Sequence, residues 1–211
     1  NIDFLYHAAA QVSFHGSDAS EVIRTNIEGT ANVVNAALEK KVGKLCYVSS
    51  IGALGRADGI EEVKRKFFGT LYNTYSFFIL YANLDGFKYQ EAEVSHEVKP
   101  EIDRWILSEL NTLIQKVDAL YADYEPTKAA RAISEFTQDY LSNWFVRLSR
   151  RRFWKGDYET DKVSAYQTLY TCMLTIAKLG APIAPFFMDR LYLDLNSVTD
   201  KEAYESVHLS N

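Results

Sequence analysis

The chain has 211 residues, 47% hydrophobic and 24% charged, with a formal net charge of −5. At roughly 150 residues per domain the length allows one large domain or two small ones. The composition is that of an ordinary soluble globular protein, which disfavours disorder, collagen and coiled-coil arrays. No apolar run reaches the roughly 18–20 residues that cross a bilayer. The opening Asn1-Ile2-Asp3-Phe4-Leu5 has no basic stretch ahead of an apolar one, so no signal peptide is read, and a start without Met suggests a fragment or a processed product. Cys46 and Cys172 sit inside apolar segments and read as buried thiols of a reducing cytoplasm.

In chain order, the first element is the apolar run over 4–10, which ends in Ala8-Ala9-Ala10 and predicts a strand. Residues 21–38 then carry Val22, Ile27, Ala31, Val34 and Ala37 at helical spacing. Residues 44–50, Lys44-Leu45-Cys46-Tyr47-Val48-Ser49-Ser50, predict a second strand ending at two hydroxyls. Strand, crossover helix and strand make a βαβ unit with a parallel pair. Ligands of such sheets bind beyond the carboxyl ends of the strands, which places His7, Ala8, Ala9, Ala10, Ser49 and Ser50 on the ligand side.

Residues 4–11, the run Asn26-Ile27-Glu28-Gly29-Thr30-Ala31-Asn32, and Tyr47-Val48-Ser49-Ser50-Ile51-Gly52-Ala53-Leu54-Gly55 resemble the extended short-chain dehydrogenase/reductases, the NAD-dependent epimerase/dehydratase group. The resemblance implies NAD(P) lined by His7, Ala8, Ala9 and Ser49, with Ser50 polarising a substrate oxygen. Two parts of that family's machinery are absent from the sequence. The Gly-rich pyrophosphate turn of that family would lie before residue 1. The Tyr-x-x-x-Lys expected after Ser50 is not met either: Tyr75 stands at a fitting distance, but Ile79 occupies the lysine position. A phenol with a pKa near 10 and no lysine beside it is a poor base at neutral pH. Tyr124-Glu125-Pro126-Thr127-Lys128 lies too far along the chain to serve.

From about residue 61 the pattern becomes helical. Ile102, Trp105, Ile106, Leu110, Leu113, Ile114, Val117 and Leu120 recur every three or four residues after the start signal Pro100. A second helix opens at Pro126, a favoured first helical residue, and runs through Ala129, Ala132, Ile133, Phe136, Tyr140 and Trp144. A third stripe uses Val163, Tyr166, Leu169, Tyr170, Met173, Leu174 and Ala177. It closes at Gly180-Ala181-Pro182, and a fourth helix begins at Pro185. Long helices with short connections make an antiparallel bundle.

Five blocks in this half resemble the anticodon-binding domain of isoleucyl-tRNA synthetases. They are residues 61–75, Tyr81-Ala82-Asn83-Leu84-Asp85-Gly86-Phe87, Asp103-Arg104-Trp105-Ile106-Leu107-Ser108, residues 141–154, and Ala181-Pro182-Ile183-Ala184-Pro185-Phe186. The valyl and leucyl enzymes share the helical module, but the wording of the blocks favours the isoleucyl one. Neither the ATP-binding HIGH and KMSKS signatures nor an editing domain occurs in the sequence. The resemblance therefore implies binding of isoleucine-accepting tRNA without aminoacylation, with ATP belonging only to the full-length synthetase.

The candidate tRNA-contacting residues are Arg147, Arg150, Arg151, Arg152, Trp154 and Lys155, a basic focus on an acidic background. Guanidinium groups bond phosphate in bidentate fashion and stack on bases. The competing reading is a helix end whose cations offset the dipole and pair with Asp157 and Glu159. On a helix 147, 150 and 151 share a face while 152 turns away. Trp144 and Trp105 fall in the apolar stripes and read as core. Trp154, flanked by basic residues, divides evenly between core and a stacking platform. His7 and His15 lack a carboxylate or thiol at ligand spacing, so no metal is expected.

The fold class is mixed: an α-helical bundle over 57–211, preceded by a partial Rossmann-type βαβ unit over 1–56. A gene fusion, an engineered join and an error of sequence assembly would each produce the seam near 56–61. A lone βαβ unit leaves strand edges unpaired, which implies self-association through the incomplete sheet. A cytoplasmic location, no membrane partner and no cofactor for the chain itself complete the expectations.

Overall fold

The computed structural model describes residues 3–8, 19–47, 63–155 and 157–210. The chain divides into two units, Asn1–Ala57 and Asp58–Asn211. In the first, β1 (Phe4–His7) pairs in parallel with β2 (Lys44–Tyr47), Phe4 opposite Lys44 and His7 opposite Tyr47. The intervening α1 (Ala19–Glu39) packs on β1. Its exit is set by Lys41 in the left-handed region (φ 52°), with the Val42 N–H returning to Ala37 O at 2.9 Å. Gly43 lets β2 come alongside, because a Cβ there would stand 3.0 Å from the Asp3 carbonyl oxygen.

The expected βαβ unit is therefore present, and its helix turns only part of the predicted stripe inward. Ile27 and Ala31 are exposed, while Val22, Asn26, Thr30, Val33 and Val34 are half-buried and Ala37 is buried. Apolar residues lie on more than one side of α1, and a two-stranded strip covers only one of them. Cys46 is likewise only half-buried, whereas Cys172 is fully enclosed and burial pushes its thiol pKa up.

The second unit is helical. A π-helical turn (Lys64–Phe68) leads into α2 (Gly69–Asp85), followed by α3 (Glu101–Ala122), α4 (Pro126–Glu135), a π-helical segment (Phe136–Val146), α5 (Arg147–Trp154), α6 (Thr160–Gly180) and α7 (Pro185–Thr199). Pro100 precedes α3, and Pro126 and Pro185 stand at the first turns of α4 and α7, as their missing N–H and fixed φ favour. The central element is α6, which packs against α2, α3, α5 and α7. Tyr166, Leu169, Met173 and Ile176 are fully enclosed there, and so are Ser164 and Thr168 on its other side. A helix walled on several faces needs no polar stripe. None of the described helices is long and apolar enough to cross a membrane.

Two features depart from simple periodicity. The helix α2 was not foreseen, because Tyr72, Tyr75, Phe77, Phe78, Ile79 and Leu80 surround its axis and give no single apolar stripe. It ends at Gly86, whose φ of 72° only glycine adopts freely. The rod over 126–154 is uninterrupted, but its middle is π-helical, with the Arg147 N–H reaching back five residues to Ser142 O. The buried positions there are Phe136, Thr137, Leu141, Phe145 and Val146. Trp144, placed in the core by a 3.6-residue period, is instead 60% exposed, and Phe145 takes its place inside.

Candidate nucleic-acid interface

The basic segment occupies α5, and the inward side of that helix fixes what its outward side presents. Phe153 sinks between Phe77 of α2 and Tyr166 of α6, with ring centroids 5.2 and 5.0 Å away, both edge-on. Ser149, one turn earlier, is also buried. Residues at i and i+4 share a helix face. Arg147, Arg150, Arg151 and Trp154 are consequently turned to solvent, and Lys155 just beyond the helix is exposed as well.

Arg152 goes the other way. Its side chain is only 15% exposed, and its guanidinium clamps Asp103 of α3 through Nη1–Oδ1 at 2.6 Å and Nη2–Oδ2 at 2.9 Å. Its Nε donates to Asp161 Oδ2 at 3.0 Å, and Nη2 donates to the Asp161 carbonyl oxygen at 2.8 Å. Asp103 is fully buried and accepts a further bond from Ser164 Oγ at 2.5 Å. Burial works against the charge of Arg152. The hydrogen bonds and charges of Asp103 and Asp161 outweigh it and hold the guanidinium above its already high usual pKa. A planar fork meeting a carboxylate in bidentate fashion fixes orientation as well as position. Arg152 thus joins α5 to α3 and α6, which leaves its guanidinium no open face for a phosphate.

Arg147, Arg150, Arg151 and Lys155 make no ion pair among the described residues. Asp157 and Glu159, the acids suggested by sequence proximity, do not pair with them. The acids that do engage the segment are Asp161 and, from 49 residues upstream, Asp103. Nothing near Asp103 in the sequence names its partner, although it aligns with Ile106 and Leu110 on the inward stripe of α3. A carboxylate on a buried stripe requires a cation brought to it. Trp154 is 51% exposed at the end of α5, beside these cations in sequence. The exposed strip therefore combines guanidinium groups, an ammonium and an indole at the carboxyl end of a helix, where positive charge is favoured.

The dehydrogenase-like positions are less complete. His7 is buried, its Nε2 3.4 Å from Thr30 Oγ1 and its ring 5.4 Å from that of Tyr47, and Ala8 is exposed. Ala9, Ala10, Ser49 and Ser50 lie outside the described residues, as does His15. Tyr75 belongs to the helical unit, packed against its core. Burial first, then the Asp194 carboxylate, pushes its phenol pKa up, the wrong direction for a general base. Among the described residues no group of three His, Cys, Asp or Glu could hold a metal ion.

Both resemblances drawn from the motifs are met by comparison with known proteins. Residues 103–211 match the family described as the anticodon-binding domain of tRNA ligase. Residues 1–74 match the 3-beta hydroxysteroid dehydrogenase/isomerase family. The isoleucine–tRNA ligase of Bacteroides thetaiotaomicron is 66% identical over 153 residues, covering 72% of this chain and 13% of that protein. That of Cytophaga hutchinsonii is 64% identical over 154 residues, 73% of this chain and 14% of the relative. That of Clostridium novyi is 47% identical over 154 residues, 72% and 14% respectively. The chain thus spans 13–14% of the length of these relatives.

Proposed function

The chain belongs to the anticodon-binding domain family of tRNA ligases, and from that premise we propose that its helical unit binds isoleucine-accepting tRNA in the cytoplasm without carrying out catalysis. The observation that carries this reading is the outward face of α5. Arg147, Arg150, Arg151 and Lys155 stand in solvent with no intramolecular ion pair among the described residues, on a helix that Arg152 and Phe153 hold rigidly to its neighbours. Unpaired cations on a fixed surface are what a phosphate backbone requires, and Trp154 adds a plane on which an unstacked base can rest. Arg152 acts in this scheme as a positioning residue for the strip.

Fluorescence anisotropy of labelled isoleucine tRNA, against an unrelated tRNA and over a range of salt, tests the reading. Each phosphate neutralised contributes about 0.7–0.9 to the slope of log affinity against log salt. Replacing Arg150 and Arg151 by Ala should weaken binding and lower that slope by up to about 2. An unchanged affinity and slope in the double variant would remove the α5 strip from the interface.

A second reading is favoured by the match over 1–74 and by the parallel βαβ geometry: NAD(P) held beyond the carboxyl ends of β1 and β2. A thermal shift with millimolar NAD or NADP supports it, and no shift ends it.

A further inference from the structure

The rod over 126–154 changes character along its length. Its carboxyl part carries the basic strip, whereas its middle faces α3 across a groove of about 830 Å³. Three aromatic rings line that groove, those of Trp105, Tyr140 and Trp144, and Tyr140 is backed by the buried ring of Phe136. Tyr140 stacks on Phe136 at 6.0 Å and 10°, and Trp105 of α3 stacks on Tyr140 at 6.0 Å and 19°. Trp144 leans on Trp105 at 6.4 Å. The π-helical segment is what turns Trp144 outward, so an indole that regular helix spacing would bury stands open to solvent. The rest of the lining carries Glu101 at the start of α3 and Glu135 and Asp139 on the rod. These three carboxylates are exposed and make no ion pair among the described residues, and no basic residue lines the groove.

Two chemistries compete for a groove of stacked rings. A nucleobase would find planes to stack on, but its phosphate would meet three uncompensated carboxylates. A guanidinium or ammonium group is attracted by both components: by the ring faces through their quadrupole and by the carboxylates directly. The volume exceeds what one side chain fills, and Trp and Tyr are the residues that most often anchor protein interfaces. We propose that this groove is a docking site for a basic segment of a partner protein, which lays Arg or Lys side chains over Trp105 and Trp144 with their charges toward Glu101, Glu135 and Asp139. The groove ends at Leu148 of α5, next to Arg147 of the basic strip, but its own lining serves an occupant of opposite charge.

The test uses the full chain and a fluorescein-labelled, acetylated peptide carrying Leu and Arg at helical spacing, against the same peptide with Glu in place of Arg. The Arg peptide should bind and the Glu peptide should not. Trp144→Ala and the pair Glu135→Gln/Asp139→Asn should each weaken binding about fivefold or more. The pair Asp118→Asn/Asp123→Asn removes equal charge from exposed positions at the far end of α3 and should leave binding unchanged. All four substituted acids are exposed, so folding is not at stake. Equal weakening by both charge-removing pairs would reduce the effect to the overall acidity of the protein and overturn the proposal. Absence of peptide binding would overturn it too, as would displacement by free arginine amide at the peptide's own concentration. Trp144→Ala should also leave tRNA affinity unchanged. A loss matching that of Arg150→Ala/Arg151→Ala would make the groove an RNA surface instead.

Discussion

In the N-terminal unit, Phe4, Tyr6, Ile27 and Leu38 stand exposed around a strand pair and one helix, and only His7 and Ala37 are buried among its described residues. In the helical unit, Tyr166, Tyr192, Phe145 and Phe153 are enclosed in one continuous core with Leu71, Ile106 and Met188. Both have well-formed local structure, but the source of it differs. The βαβ strip follows from propensity, a parallel ladder and the tie between Val42 and Ala37. The bundle follows from burial, which supplies most of the free energy available to a fold at about 25 cal/mol per Å² of apolar surface. Among the described residues the α/β motif thus keeps its shape with a single pair of strands.

Amide exchange gives the largest separation between the two. A strip with so little burial opens at small cost, while the α6 amides exchange only when the core is lost, at about 5 kcal/mol or more. The amides of β1 and β2 should therefore exchange about 10³-fold or more faster than those of Leu169, Met173 and Ile176. Protection of the strands comparable to α6, in protein shown to be monomeric by sedimentation, would break the comparison. Protection that grows with protein concentration would instead point to pairing of the open strand edges between copies.

A smaller effect sharpens the other side. Asp103→Asn removes the carboxylate that Arg152 grips and leaves a mostly buried guanidinium under-paired, which should destabilise the helical unit by about 3 kcal/mol in urea unfolding. Replacing both partners, Asp103→Leu with Arg152→Met, should recover much of the loss, because an apolar pair does not strand a charge. The same double variant decides the role of Arg152. Retained tRNA affinity makes it a positioning residue, and lost affinity in folded protein makes it an RNA contact. Exchange in β1 and β2 should not change in either variant, since nothing within that unit's own ladder has been touched.

Much of this was legible in the sequence where one helix face meets one core. Pro100, Pro126 and Pro185 mark helix starts that the structure places at or within a residue of those positions, and the stripe from Ile106 to Val117 is buried. Periodicity failed where its assumption failed. It gave no signal for α2, whose apolar residues surround the axis, and it misplaced Trp144, because the π-helical segment shifts the inward face so that Phe145 and Val146 are buried in its place. The basic strip could be read as a helix face, down to the turning away of Arg152. The partner that captures Arg152 could not be named, because Asp103 is distant in sequence and only packing brings it near. The clue was a lone carboxylate on an apolar stripe. The acidic and aromatic groove needed the same tertiary information, since Trp105 and Trp144 come from different elements and both looked internal.

The smallest effect concerns the edge of the bundle, where stability passes from burial to a polar tie. Asp189 of α7 accepts from Ser206 Oγ at 2.7 Å and from the Val207 N–H at 2.9 Å, fixing the short 3₁₀ turn Val207–Leu209 to the helix. The Ser206 hydroxyl first, and the Val207 amide next, hold the Asp189 carboxyl below its usual pKa. The sign follows from linkage. A carboxylate with a depressed folded pKa contributes fully above the unfolded value of about 3.9, and its contribution is lost as pH falls through the lower folded value. Acidification below about pH 4 should therefore free the amide signals of Val207 and His208 before those of α6 respond. Asp189→Asn should abolish this early step and shift the Tm by no more than about 2 °C, because the carboxylate is partly exposed and its ties to Ser206 and Val207 are polar ones. If the turn instead releases only together with α6, it is held by the burial of Val207, and the edge of the bundle belongs energetically with its centre.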